Sequence, residues 1–146
     1  MKDRIAWVGR HEGLLRDVAR GCAYGDPKSI DAGAAVLSAF IKPGSALVPM
    51  PSHIGYATTM LDLCVRIGEL VKIGSVLDCL KCIPHESSHI QKLRMGLPPE
   101  IHMSARGRLP AGGNIIIIDN TVCTGATASA ALDVIPNAKV LAITKG

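Results

Sequence analysis

A chain of 146 residues predicts one domain over residues 1–146, long enough to bury a core and too short for two. Hydrophobic residues make up 48% but aromatics only 3%, so Ala, Val, Ile and Leu must fill that core, as in a parallel α/β sheet. A formal net charge of +4 is mild and excludes neither a phosphate-bearing small ligand nor nucleic acid.

No apolar run has the length of a membrane span, and Met1-Lys2-Asp3-Arg4 does not open a signal peptide. The expected protein is soluble and cytoplasmic, with no membrane partner. Its five cysteines, Cys22, Cys64, Cys79, Cys82 and Cys123, are an odd count in apolar surroundings, which argues against a disulfide framework.

Ile5, Trp7 and Val8 form a weak pattern that fits a short strand or an arm on a sheet edge. Leu14, Leu15, Val18, Ala19 and Cys22 recur at helical spacing, with Arg16, Asp17 and Arg20 on the opposite face. Gly25-Asp26-Pro27 breaks this helix, and Ser29 is the expected cap of the next, whose stripe is Ile30, Ala34, Leu37 and Ile41. Ala46-Leu47-Val48 reads as a short buried strand ending in the bend Pro49-Met50-Pro51-Ser52-His53. A helix with a stripe at Ala57, Met60, Leu61, Cys64, Gly68 and Val71 follows.

Ser75 to Ile83 reads as a second core strand. Residues 84–98 form a polar, basic connection that includes His85, His89, Gln91, Lys92 and Arg94, and a connection of that length inside a domain is usually functional. Glu100 to Met103 fits a short third strand. Cys79, Cys82, His85 and His89 are chemically suited to zinc. A strand would, however, send Cys79 and Cys82 to opposite faces, so no metal ligands are assigned in this chain.

The most informative stretch is Ile115-Ile116-Ile117-Ile118-Asp119-Asn120-Thr121-Val122-Cys123-Thr124-Gly125-Ala126-Thr127. Consecutive isoleucines predict a strand buried on both faces, with Asp119 at its carboxyl end. The small, hydroxyl-rich turn that follows leads into a helix from Ala128, and backbone N–H groups at a helix start suit a phosphate. An acid beside a phosphate cradle suits a ribose 5-phosphate, which carries vicinal hydroxyls as well as the anion. Ala138 to Thr144 is expected to be the last strand. Strands alternating with helices predict a doubly wound α/β domain with a mostly parallel sheet of about five strands.

The same stretch resembles the phosphoribosyl diphosphate (PRPP) binding motif of the type I phosphoribosyltransferases, and the Pro-rich bend is similar to that of ComF-related members. The resemblance implies a minimal hood over the core and Mg²⁺-dependent transfer of ribose 5-phosphate from PRPP to a nucleobase-like acceptor. Asp119 and Asn120 would contact the ribose as the catalytic pair, with Asn120 standing where the family usually has a second acid. Cys123, Thr124, Gly125, Ala126 and Thr127 would hold the 5-phosphate, and Ser52 and His53 the diphosphate. Two other functions stay open at this point. One is a non-catalytic module that senses PRPP or a nucleotide monophosphate. The other is a ComF-like nucleic-acid-associated protein, against which the scarcity of aromatics beside the basic runs counts. So small a hood also leaves room for a second copy of the chain to complete the site.

Overall fold

A computed structural model describes residues 4–87, 96 and 100–146. The elements in chain order are β1 (Ile5–Arg10), α1 (Gly13–Tyr24), α2 (Pro27–Ser38), β2 (Ala46–Pro49), α3 (Thr59–Leu70), β3 (Ser75–Val76), β4 (Leu80–Cys82), β5 (Met103–Ala105), β6 (Ile115–Val122), α4 (Ala126–Val134) and β7 (Lys139–Lys145). Five strands form a parallel sheet in the order β1-β7-β6-β2-β3, and β4 pairs with β5 in a separate antiparallel ribbon. Helices flank the sheet, an arrangement compatible with a doubly wound α/β fold.

The isoleucine run explains why β6 is central. Ile115 to Ile118 lie in register with β2 on one side and, from Ile116 onward, with β7 on the other. All are buried, Ile117 and Ile118 completely. Removing each such side chain from water stabilises the fold by about 1.5–3 kcal/mol. Leu47, Val48, Val140 and Ile143 on the neighbouring strands join the same buried cluster.

On the helical side, α1 and α2 pack closely because Gly33 leaves room for Cys22; a Cβ at Gly33 would stand 2.7 Å from the Cys22 sulfur. Gly25 closes α1 at φ +78°, and the next helix starts at once. Its cap is Asp26 rather than the expected Ser29. The Asp26 carboxylate accepts from the Ser29 backbone N–H at 3.0 Å and from its hydroxyl at 2.7 Å. Pro27 occupies the first helical turn, where a missing N–H is harmless.

Two strands differ from the sequence expectation. Ser75 to Ile83 is not one strand: the chain leaves the sheet after Val76, and Leu80–Cys82 resumes as β4 beside β5. Arg106 pairs with Asp78 at that bend, and its N–H donates to the Cys79 carbonyl at 2.7 Å. The fifth member of the parallel sheet is β1, which takes the edge beside β7, while the third strand expected at Glu100 to Met103 starts only at Met103, runs to Ala105 and belongs to the ribbon as β5. His89, Gln91, Lys92 and Arg94, which the sequence places in the basic connection, lie outside the described residues. No helix among the described residues is long and apolar enough to cross a membrane.

Candidate functional site

Parallel strands whose carboxyl ends share one edge leave their following loops together, and ligands of such sheets bind in the crevice there. Here β6 delivers Asp119 to Val122, β2 delivers the turn at Pro51 to His53, and β1 delivers His11. All three loops border one groove of about 1310 Å³. A smaller cavity of about 60 Å³ opens beside it, lined by residues of the β6–α4 turn. The two spaces share Asp119, Thr121, Cys123 and Thr127.

Asp119 sits at the junction. Its Oδ1 accepts from the Asn120 backbone N–H at 2.8 Å. Exclusion of water pushes its pKa up to about 7, against the pull of that hydrogen bond. A carboxyl so placed changes charge near neutrality and gains most from a ligand that offers hydroxyl donors or positive charge.

The turn after β6 is shorter than the sequence suggests: pairing of Thr121 and Val122 with Thr144 and Lys145 carries the strand on through Val122, so Asp119 lies within it rather than at its carboxyl end, and α4 starts at Ala126 rather than Ala128, which leaves Cys123 to Gly125 between them. Gly125 caps α4 at φ +87°, a left-handed conformation that glycine adopts without the steric penalty of a Cβ. Its carbonyl accepts the N–H of Ser129 at 2.8 Å, so the helix begins immediately. The Thr124 hydroxyl accepts from the Ala126 N–H at 3.2 Å, which occupies one of the expected phosphate-binding amides within the turn itself. Thr124, Gly125 and Thr127 line the small cavity, at the amino end of α4 where backbone donors and the helix dipole favour an anion.

Across the groove, the Ser52 hydroxyl is engaged inside its own turn. It donates to the Tyr56 carbonyl at 3.2 Å and accepts from the Ile54 N–H at 3.4 Å. Ser52 therefore shapes the bend, and His53 is its exposed side chain on the groove. Strand β4 braces this bend from behind. The Cys82 N–H donates to the Gly55 carbonyl at 2.9 Å, its thiol to the Ser52 carbonyl at 3.3 Å, and the His85 N–H to the His53 carbonyl at 2.9 Å. Gly55, at φ +113°, permits the approach, since a Cβ there would come within 2.9 Å of the Cys82 carbonyl oxygen.

No protein-family model matches the chain, and neither a curated protein nor a solved structure does. The site must be read from its own chemistry.

The structure thus gathers Asp119, Asn120, Cys123, Thr127, Ser52 and His53 on one groove, with Thr124 and Gly125 on the adjoining cavity. It also brings in residues the sequence reading did not assign: His11, Arg20 and Tyr24 on the α1 side, and Thr121 beneath them. His11 Nδ1 lies 2.8 Å from the Thr144 hydroxyl, itself 3.0 Å from the Thr121 hydroxyl, so a chain of polar contacts links β1, β7 and β6 under the groove. Burial, with the charges of Arg20 and Arg16, lowers the His11 pKa and favours its neutral form. Arg20 was visible in sequence only as part of a polar helix face, which looks the same whether it meets solvent or a ligand.

Among the described residues no cluster of three or more His, Cys, Asp or Glu side chains could cage a metal ion. Cys79 and Cys82 are both buried thiols, and His89 of the discounted zinc set lies outside the described residues. One carboxylate on an open groove is nonetheless compatible with Mg²⁺, which keeps several waters and is commonly held by ligand phosphates.

Proposed function

We propose that this chain binds PRPP and is a small Mg²⁺-dependent phosphoribosyltransferase of type I, ComF-related, acting on a nucleobase-like acceptor. The observation that carries the reading is Asp119, the first residue of β6 after its isoleucines, which opens both on the groove and on the small cavity lined by the Cys123–Gly125 turn and the first residues of α4. Few ligands other than a phosphorylated sugar need a carboxylate and an anion cradle so close together.

In this reading the ribose hydroxyls donate to the Asp119 carboxylate, and the 5-phosphate enters the small cavity against Thr124, Thr127 and the α4 amides that follow Ala126. The diphosphate lies toward the bend carrying His53. Mg²⁺ bound to the diphosphate oxygens would neutralise the departing charge. The bond from the anomeric carbon to the diphosphate oxygen breaks with its electron pair on the diphosphate, while a ring nitrogen of the acceptor bonds to that carbon and releases its proton to solvent, through an oxocarbenium-like transition state. Asp119, ionised on contact with the sugar, places fixed negative charge beside that developing cation. The protein's main contribution is alignment of the two reactants.

PRPP with Mg²⁺ is expected to raise the melting temperature of the protein, and Asp119→Ala to abolish the rise. Absence of any shift in the intact protein would overturn the proposal. A second reading, a sensor without catalysis, is favoured by one feature: the Asn120 amide, which brings no charge to the ribose, gives one of its N–H groups to the Ala19 carbonyl at 3.2 Å. Release of diphosphate on screening heterocyclic acceptors separates the two, since a sensor binds PRPP and releases none.

A further inference from the structure

Position 120 holds an amide where the motif it resembles has an acid, and the structure gives that amide a definite partner. Asn120 Nδ2 donates to the carbonyl of Ala19, on the last turns of α1. An ionised carboxylate has no hydrogen to give and would set negative charge against that carbonyl. The contact therefore requires the amide, and it fixes α1 alongside Asp119.

The residue after Ala19 is Arg20, which lines the groove at that point. Its guanidinium makes no hydrogen bond or ion pair with any described residue. His11 lines the same wall, held by the Thr144 hydroxyl. Asp119 is the sole acidic side chain among the described residues that border the groove, so no Asp or Glu side chain of the groove lining faces the Arg20 guanidinium from the α1 wall itself.

We infer that Asn120 latches α1 in place so that Arg20, with His11 beside it, forms the acceptor subsite, and that the acceptor bears an anionic substituent such as a ring carboxylate. This rests on the phosphoribosyl reading of the Asp119 site. A guanidinium with its donors free meets a carboxylate in a charge-assisted, bidentate pair, whereas a neutral ring leaves it unsatisfied. Asn120 is then a positioning residue and Arg20 a specificity-determining one.

The test uses three probes on the intact chain and on Arg20→Gln, with dissociation constants from calorimetry. They are ribose 5-phosphate, uridine 5′-monophosphate and orotidine 5′-monophosphate, the last two differing by one ring carboxylate. The expected result is that the carboxylated nucleotide binds the intact protein at least about tenfold tighter than the one whose base is neutral. In Arg20→Gln that ratio falls to about one, and Arg20→Lys restores part of it. Arg20 is exposed, so the variants are expected to fold, which their melting curves check. Failure of ribose 5-phosphate to bind removes the underlying reading and the inference with it. Binding of ribose 5-phosphate with equal affinities for the two nucleotides overturns the inference alone. So does a ratio that Arg20→Gln leaves intact, since Arg20 would then not meet the ring carboxylate.

Discussion

Asp119 carries a cost in the folded protein that its chemistry makes measurable. Its pKa of about 7 stands above the ordinary value of 3.8, so the folded state holds the proton more tightly than the unfolded chain. Stability associated with this group is full below pH 4, declines as pH rises toward 7, and is flat beyond. Asp119→Asn removes the ionisation, so its melting temperature should match the parent's near pH 4 and exceed it by a few degrees at pH 8. A difference independent of pH, followed by differential scanning fluorimetry across that range, would contradict the assignment. The residue itself was legible: an acid ending an isoleucine run has few other places to go. The uses of its neighbours were not. That Asn120 bonds to α1, that Ser52 closes its own turn and that Thr124 occupies the Ala126 amide all depend on partners that residue type and spacing do not specify.

Among the elements, those with a strong period were readable and those shaped by a partner were not. α2, β2, β6 and β7 follow their apolar stripes or runs because burial dictates the spacing. α1 follows its stripe except at Leu14, which is exposed, and α3 forms but buries Met60, Leu63, Cys64 and Ile67, leaving Gly68 of the expected stripe in solvent, since a helix apolar on several sides offers more than one stripe. The break inside Ser75 to Ile83 left no mark, since an apolar run looks alike whether it continues in a sheet or turns into a ribbon. The turn there is held by Arg106, far along the chain. β1 gave a weak pattern because an edge strand is half exposed. Trp7 is 42% exposed, and the Lys145 ammonium sits 5.3 Å from its ring centroid. The α1–α2 contact supplies a test at this scale. Gly33→Ala would press a methyl group against Cys22 and Ile143, an overpacking expected to cost about 1–3 kcal/mol in chemical denaturation. A neutral or stabilising outcome would mean that the helices can separate without penalty.

For the molecule as a whole, thiol accessibility reports on the candidate site. Cys22, Cys64, Cys79 and Cys82 are buried, and loss of solvation raises each of their pKa values, that of Cys22 to about 11. Cys123 is half-buried in the β6–α4 turn. Native protein treated with an aromatic disulfide reagent should therefore modify Cys123 first, and the other four only on unfolding. PRPP with Mg²⁺ should slow that first reaction several-fold; equal rates with and without it would place the ligand elsewhere. The polar chain from His11 through Thr144 to Thr121 has a different implication. His11 and Thr144 stand 133 positions apart, and β1 hydrogen-bonds only to β7 among the described strands. Closing so wide a loop is entropically slow, so docking of the first strand belongs among the last events on the folding route. Until it docks, His11 is not yet in place beneath the groove, and a chain caught midway would show much of its secondary structure before it showed any appetite for ligand.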